Sequence, residues 1–243
     1  MPSVSSRKDR STGATALKAA AAATVPVLLG YTTLGAAFGL LAVNAGLPWW
    51  LAVAMSVFVY AGAAQFMAIG LVASGRGILE ITLLTLVLNA RHAVYGLSLL
   101  GKFEGAGARK PYLVFGLTDE TYGLLATVEP PEGVGDAGRK AFYLAVTALD
   151  QCYWVAGTIV GALAGAVARG IEGFDATGLD FALTALFVVL LVEQLRAMRR
   201  PEPYLVAAAA TVAAFLVLGP DRLLLAAILL SIAGLAALRR RLP

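Results

Sequence analysis

Residues 79–100 read LEITLLTLVLNARHAVYGLSLL. An α-helix needs about 20 mostly apolar residues to cross the hydrocarbon of a bilayer, so this run predicts a transmembrane segment. Its centre nevertheless holds Asn89, Arg91 and His92, and a charge at that depth costs about 2.5–3.5 kcal/mol even on the lenient insertion scale. Something must compensate for Arg91. At helical spacing Thr85, Asn89, His92 and Gly96 fall on one stripe, with Tyr95 beside it and Arg91 about 100° around from His92. One face of this helix therefore points at something polar. The plainer alternative is that Asn89 and His92 only bond neighbouring helices together, at about 0.6 kcal/mol per hydrogen bond. A guanidinium beside an imidazole is an expensive way to do that when Ser or Thr would serve.

Working outward, the same apolar pattern fills the chain. Of 243 residues, 59% are apolar and 14% charged, and the mean hydropathy is +0.80; a soluble domain carries about 25% charged residues. Apolar runs cover 17–45, 49–74, 78–100, 111–128, 140–169, 179–196, 203–219 and 222–238. The reading is an all-α polytopic membrane protein with about eight transmembrane segments, six or seven being the alternatives. The first run follows Arg7, Lys8 and Arg10 but is too long for a signal-peptide core, so it is expected to stay as an anchor. The division expected is a cytoplasmic tail over 1–16, a single transport domain over 17–238 and a short basic tail over 239–243.

Lys and Arg placement sets the orientation. With the amino terminus cytoplasmic and eight crossings, thirteen of the 19 basic residues lie inside and five outside, with Arg91 in the membrane. The discordant loop is Lys102 to Lys110. The run after it, 111–128, is the least apolar, and is expected to be broken or re-entrant if it does not span. The terminal Arg239-Arg240-Arg241 argues for an even number of crossings. An inverted repeat, common in secondary transporters, is left open on a faint likeness between Gly46-Leu47-Pro48 leading into 58–66 and Gly178-Leu179-Asp180 leading into 181–187.

Other polar groups interrupt the runs. Thr118-Asp119-Glu120-Thr121 puts two carboxylates in an apolar segment, where they are natural counter-charges for Arg91. They also read as local chemistry, with Thr118 or Asp119 capping a helix that restarts at Glu120 and the acids complementing its dipole. Both readings hold for a broken helix opening on a cavity. Asp150 reads equally as a pathway carboxylate or as a helix-pairing residue. Gln65, beside the small run Ala61 to Ala64, suits solute passage and tight packing equally. Gly157, Gly161 and Gly165 in one segment and Gly35 and Gly39 in another predict small-residue helix packing. Glu193 reads as an interfacial ion-pair partner of Arg196, Arg199 and Arg200, and Trp49-Trp50 as an interfacial belt feature.

Several function classes fall away. One cysteine, Cys152, excludes an internal disulfide, and a single histidine leaves too few ligands for a His/Cys zinc site, so neither metal nor cofactor is expected. The net charge of +4 is explained by membrane topology, and no nucleic-acid partner is expected. There is no P-loop, GxSxG, HExxH or dinucleotide fingerprint, so the chain does not read as an enzyme. Ordered rings of one charge, as in a channel, are missing unless an oligomer supplies them. What remains is a carrier. An integral membrane enzyme acting on lipid, or a structural membrane subunit whose polar residues lock helices, are the alternatives.

Five stretches give the chain a family likeness: Gly35 to Gly39 (GAAFG), Tyr60 to Phe66 (YAGAAQF), Asn89 to Gly96 (NARHAVYG), Thr118 to Thr121 (TDET) and Leu179 to Leu183 (LDFAL). In this order they resemble the AzlC-type branched-chain amino acid permeases, the larger subunit of two-component exporters. Asn-x-Arg-His-x-x-Tyr-Gly followed by Thr-Asp-Glu-Thr is the specific part. The resemblance implies export of Leu, Ile, Val and perhaps Met across the cytoplasmic membrane, a small AzlD-type membrane partner, and use of the proton motive force. It marks Gln65, Asn89, Arg91, His92, Tyr95, Asp119 and Glu120 as motif positions. The chain departs from it where Val192-Glu193 stands in place of a proline.

These readings assign Gln65, Asn89, Arg91, Tyr95 and Thr118 to substrate binding, and His92, Asp119, Glu120 and Asp150 to proton coupling or ion pairing. Arg91, balanced by an acid, would meet the substrate carboxylate and another acid its ammonium. Segments 1 and 2 would supply an apolar wall.

Overall fold

A computed structural model describes residues 4–170, 188, 191–192, 202–219 and 223–239. Among these residues every regular element is helical. Three helices are long and apolar enough to cross a membrane: α2 (Val25–Asn44), α5 (Ile78–Leu99) and α8 (Gly135–Arg169). The expected all-α membrane architecture is the one found. The chain divides into two compact units, Met1–Leu179 and Asp180–Pro243.

In the first unit the expected segment 17–45 is two helices, α1 (Val4–Ala23) and α2, separated at Thr24. Pro26, in the first turn of α2, has no N–H to give to the preceding turn and crowds its carbonyl, so the helix is interrupted there. Thr24 is fully buried, and its hydroxyl bonds the Ala21 carbonyl and the Tyr153 hydroxyl.

The long helix α8, about 52 Å at 1.5 Å per residue, packs face to face on α2. The expected glycine packing is realised here. A Cβ at Gly35 or Gly39 would run into the α8 backbone at Trp154, Thr158 and Ala162. One at Gly157 or Gly161 would run into α2 at Thr32 and Ala36. Hydrogens on Cα therefore let the two backbones touch. At the far end Arg169 donates at 2.7 Å to the Val43 carbonyl, a second bond to an acceptor in the last turn of α2 that also takes the Gly46 N–H.

The segment expected to run unbroken over 49–74 is broken. It forms α3 (Trp49–Phe58) and α4 (Gly62–Ala73), with Val59, Tyr60 and Ala61 between them. Tyr60 has φ 42°, in the left-handed region where a side chain is strained. Tertiary bonds compensate: Gln151 of α8 donates at 3.0 Å to the Val57 carbonyl freed by the break. The expected break in 111–128 is also present, between α6 (Lys110–Phe115) and α7 (Asp119–Thr127). At about 14 Å, α7 is too short to span hydrocarbon alone. Lys102, in the discordant loop, donates to the Leu125 carbonyl near the end of α7 and pairs with Glu129 at 2.9 Å.

A buried cluster of Ala16, Leu99, Phe103, Leu113, Leu125 and Phe142 fastens α6 and α7 to α1, α5 and α8. Helix α5 buries only Leu84, Gly96 and Leu99, and turns Leu79, Leu86, Val94 and Leu97 outward.

In the second unit α9 (Glu202–Leu218) and α10 (Leu223–Arg239) pack on each other, with Val206 over Gly234 and Ala210 and Ala214 buried. The Leu179–Leu183 stretch, the repeat partner 178–187 and Glu193 lie outside the described residues.

Candidate functional site

The two helix breaks face one another. Tyr60, in the first, lies 6.3 Å from Phe115, at the edge of the second, measured between ring centroids. Tyr31 of α2 touches both: its ring meets Tyr60 edge-on at 6.5 Å, and its hydroxyl bonds the Thr118 hydroxyl. Trp154 of α8 closes the group, edge-on to Tyr31 at 5.4 Å and stacked on Phe38. Gly62, the first residue of α4, gives the Trp154 ring room, since a Cβ there would lie 3.0 Å from it.

The second break carries the charge. Helix α7 restarts at Asp119, one residue before the expected Glu120, because Thr118 takes extended backbone and its hydroxyl accepts from the Thr121 N–H at 3.2 Å. Asp119 and Glu120 then sit in the first turn, where the helix dipole favours them. Asp119 reaches across to α5, with one carboxylate oxygen 3.0 Å from Arg91 and the other accepting from the Tyr95 hydroxyl at 2.7 Å. Capping and counter-charge, the two readings of this motif, are both present. The ion pair is only partly buried, its side chains being 36% and 34% exposed. Tyr95 stacks on Tyr122 at 4.3 Å, and the His92 ring lies 5.8 Å from Tyr95. Arg91 Nε and Asn89 Oδ1 are buried with no hydrogen-bond partner.

From Glu120 a row of oxygens runs inward. The Tyr31 hydroxyl donates to Glu120 at 2.6 Å and meets Thr118; Thr118 bonds Thr121 at 3.0 Å, and Thr121 donates to Asp150 at 2.8 Å. Asp150, fully buried near the middle of α8, leaves its second oxygen without a partner, as does the buried Tyr60 hydroxyl.

Gln65 lies on the other side of Trp154. It is fully buried, accepts from the Trp154 indole N–H at 3.1 Å and donates to Ser56, which in turn bonds Thr158. The residues expected from sequence thus fall into three groups: Arg91, Tyr95 and Asp119 together; Thr118, Glu120 and Asp150 together; and Gln65, which meets Tyr31, bonded to that second group, through Trp154. Asn89 and His92 sit along α5. Tyr31, Tyr60 and Trp154 were not expected, because one aromatic in an apolar run looks like core. Thr121 was legible only as part of its motif.

The family model described as AzlC protein matches residues 26–168. The chain belongs to the AzlC family. The matched range runs from the first turn of α2 to the end of α8, so this family region holds every side chain of the site. Among AzlC-like relatives, an uncharacterized membrane protein of Helicobacter pylori (strain ATCC 700392 / 26695) is 36% identical over 90% of this chain and 93% of its own. The branched-chain amino acid transport protein AzlC of Bacillus subtilis (strain 168) is 33% identical, over 90% of this chain and 84% of its own. The inner membrane protein YgaZ of Escherichia coli (strain K12) is 29% identical over 69% of each. No solved structure matches.

Proposed function

We propose that this chain is the larger subunit of a two-component secondary transporter that exports Leu, Ile, Val and Met through the bacterial cytoplasmic membrane, with proton coupling. The observation that carries the reading is the accessible Arg91–Asp119 pair at the start of a broken helix. A zwitterionic amino acid carries the same two charges. Its carboxylate replaces Asp119 on Arg91 and its ammonium replaces Arg91 on Asp119 or Glu120, so the site stays electrically balanced throughout. Charge-assisted bonds of this kind are strongest where water is excluded. Tyr95 and Thr118 position the carboxylates, Asn89 offers an unpartnered amide oxygen on the same helix as Arg91, and Tyr31 and Tyr60 give the branched side chain an apolar wall. Gln65 acts by holding Trp154. His92, Asp119, Glu120 and Asp150 are the candidates for the proton.

The name of the Bacillus subtilis relative supports the substrate class. The basic residues support a cytoplasmic amino terminus, and the family resemblance supports a small AzlD-type partner. The test is efflux of leucine, isoleucine, valine and methionine from dipeptide-loaded bacteria expressing this chain with and without that partner. Faster efflux with both chains is expected. No change for any of the four, with both proteins in the membrane, rejects the assignment.

A further inference from the structure

The row Glu120, Tyr31, Thr118, Thr121, Asp150 holds four hydrogen-bond contacts between five side chains on three helices and one helix cap. A hydroxyl carries one hydrogen and an ionised carboxylate none. The three hydroxyls therefore supply three hydrogens for four contacts. With both acids ionised, one pair of oxygens must face each other with no hydrogen between them, in a row whose Tyr31, Thr118, Thr121 and Asp150 members are buried, where an unmet polar contact is costly. Protonating either acid completes the row. If Glu120 holds the hydrogen, every hydroxyl points toward Asp150; if Asp150 holds it, every hydroxyl turns toward Glu120.

We propose that Glu120 and Asp150 share a single proton, passed between them through Tyr31, Thr118 and Thr121. The surrounding charges agree. Among the described residues, Arg91 of α5 is committed to Asp119, and neither Glu120 nor Asp150 has an ion-pair partner. The other titratable groups nearest the row are Tyr60 from the first break, close to both Asp150 and Glu120, and Asp119, the chain neighbour of Glu120, which is held by Arg91 and Tyr95 of α5. The ends are unequal: Glu120 is exposed and Asp150 is fully buried. In the transfer, the Glu120 O–H bond breaks as that hydrogen bonds to Tyr31 Oη. The Tyr31 hydrogen passes to Thr118, that of Thr118 to Thr121, and that of Thr121 to Asp150 Oδ2. One proton moves, no alkoxide forms, and the total charge is unchanged. The row lies across the helix break, so a rearrangement of α7 against α2 or α8 opens it and strands the proton at one end. This deepens the proton-coupled reading above by giving the proton a route.

The experiment is infrared difference spectroscopy of the purified, lipid-reconstituted protein at neutral pH, reading the carbonyl stretch of protonated carboxylic acids in H2O and D2O. The wild type is expected to show one such band from this pair. Asp150→Asn and Glu120→Gln should each abolish it, because the amide N–H completes the row and leaves the remaining acid ionised. A band that survives in either single variant places the proton on one residue alone and overturns the proposal, as does a wild type with no band. In proteoliposomes containing both subunits, Thr121→Val should lower proton-driven transport at least about tenfold while solute exchange persists, and Thr121→Ser should restore it. Full proton-driven transport in Thr121→Val rejects the route. Should the wild type itself exchange no amino acid, the transport reading falls, while the infrared result still decides whether the proton is shared.

Discussion

The guanidinium of Arg91 lies 3.0 Å from the carboxylate of Asp119 and ties the middle of α5 to the first residue of α7. The most expensive residue of a transmembrane helix is thereby neutralised at the place where another helix is interrupted.

Replacing Arg91 by Ala should lower leucine efflux at least tenfold while moving the unfolding midpoint little, since an ion pair a third exposed contributes about 1 kcal/mol or less. Arg91→Lys should recover part of the activity, because an ammonium keeps the charge but loses the planar fork. Normal efflux in a folded Arg91→Ala protein would reject the substrate role.

Helix α2 contains its own control for close packing. Gly39→Val should destabilise the protein by about 3 kcal/mol or more, because the new side chain meets the α8 backbone, which cannot yield as a flexible side chain does. Gly30→Ala, where nothing lies within 4 Å, should be neutral or slightly stabilising through the better helix propensity of Ala. Thermal unfolding in one detergent compares the two.

At the start of α7, Thr118→Ala removes both the helix cap and the Tyr31 contact, and should cost about 1–2 kcal/mol. Thr118→Ser keeps the hydroxyl and should stay near wild type in unfolding and in efflux. Equal losses in both variants would show that the threonine methyl matters more than the cap.

Trp154→Phe keeps most of the ring packing but strips the buried Gln65 amide of its donor, which should cost about 1–3 kcal/mol. Adding Gln65→Leu should return part of that loss, since the unmet acceptor is then gone. Leucine selectivity should be unchanged in the double variant; a changed selectivity would bring Gln65 into direct contact with solute.

Much of the fold was legible because bilayer thickness acts on sequence directly. Apolar runs of 20 residues or more marked the stretches that hold α2, α5 and α8, and the glycine spacing marked a close-packing face on α2 and on α8, since four-residue spacing keeps hydrogens on one helix face whatever lies opposite. The break at Thr118 was legible too, because a hydroxyl followed by two acids is a local signal for a helix start. The break at Tyr60 was not. Nothing in Val57-Phe58-Val59-Tyr60-Ala61 interrupts a helix by its own preference; the backbone turns there because Gln151 takes up the freed carbonyl and Trp154 seats against Gly62.

By itself, then, the sequence determined that this is a helical membrane protein with a charged centre in α5 and two acids at a helix start, since hydropathy, spacing and capping act within a few turns of one chain segment. Only the tertiary structure decided which acid meets Arg91, that Glu120 and Asp150 stand at the two ends of one row of hydroxyls, and that a second helix is broken opposite the first. Those outcomes depend on which side chains 24 to 89 residues apart come within about 3 Å of one another, and no local preference encodes that.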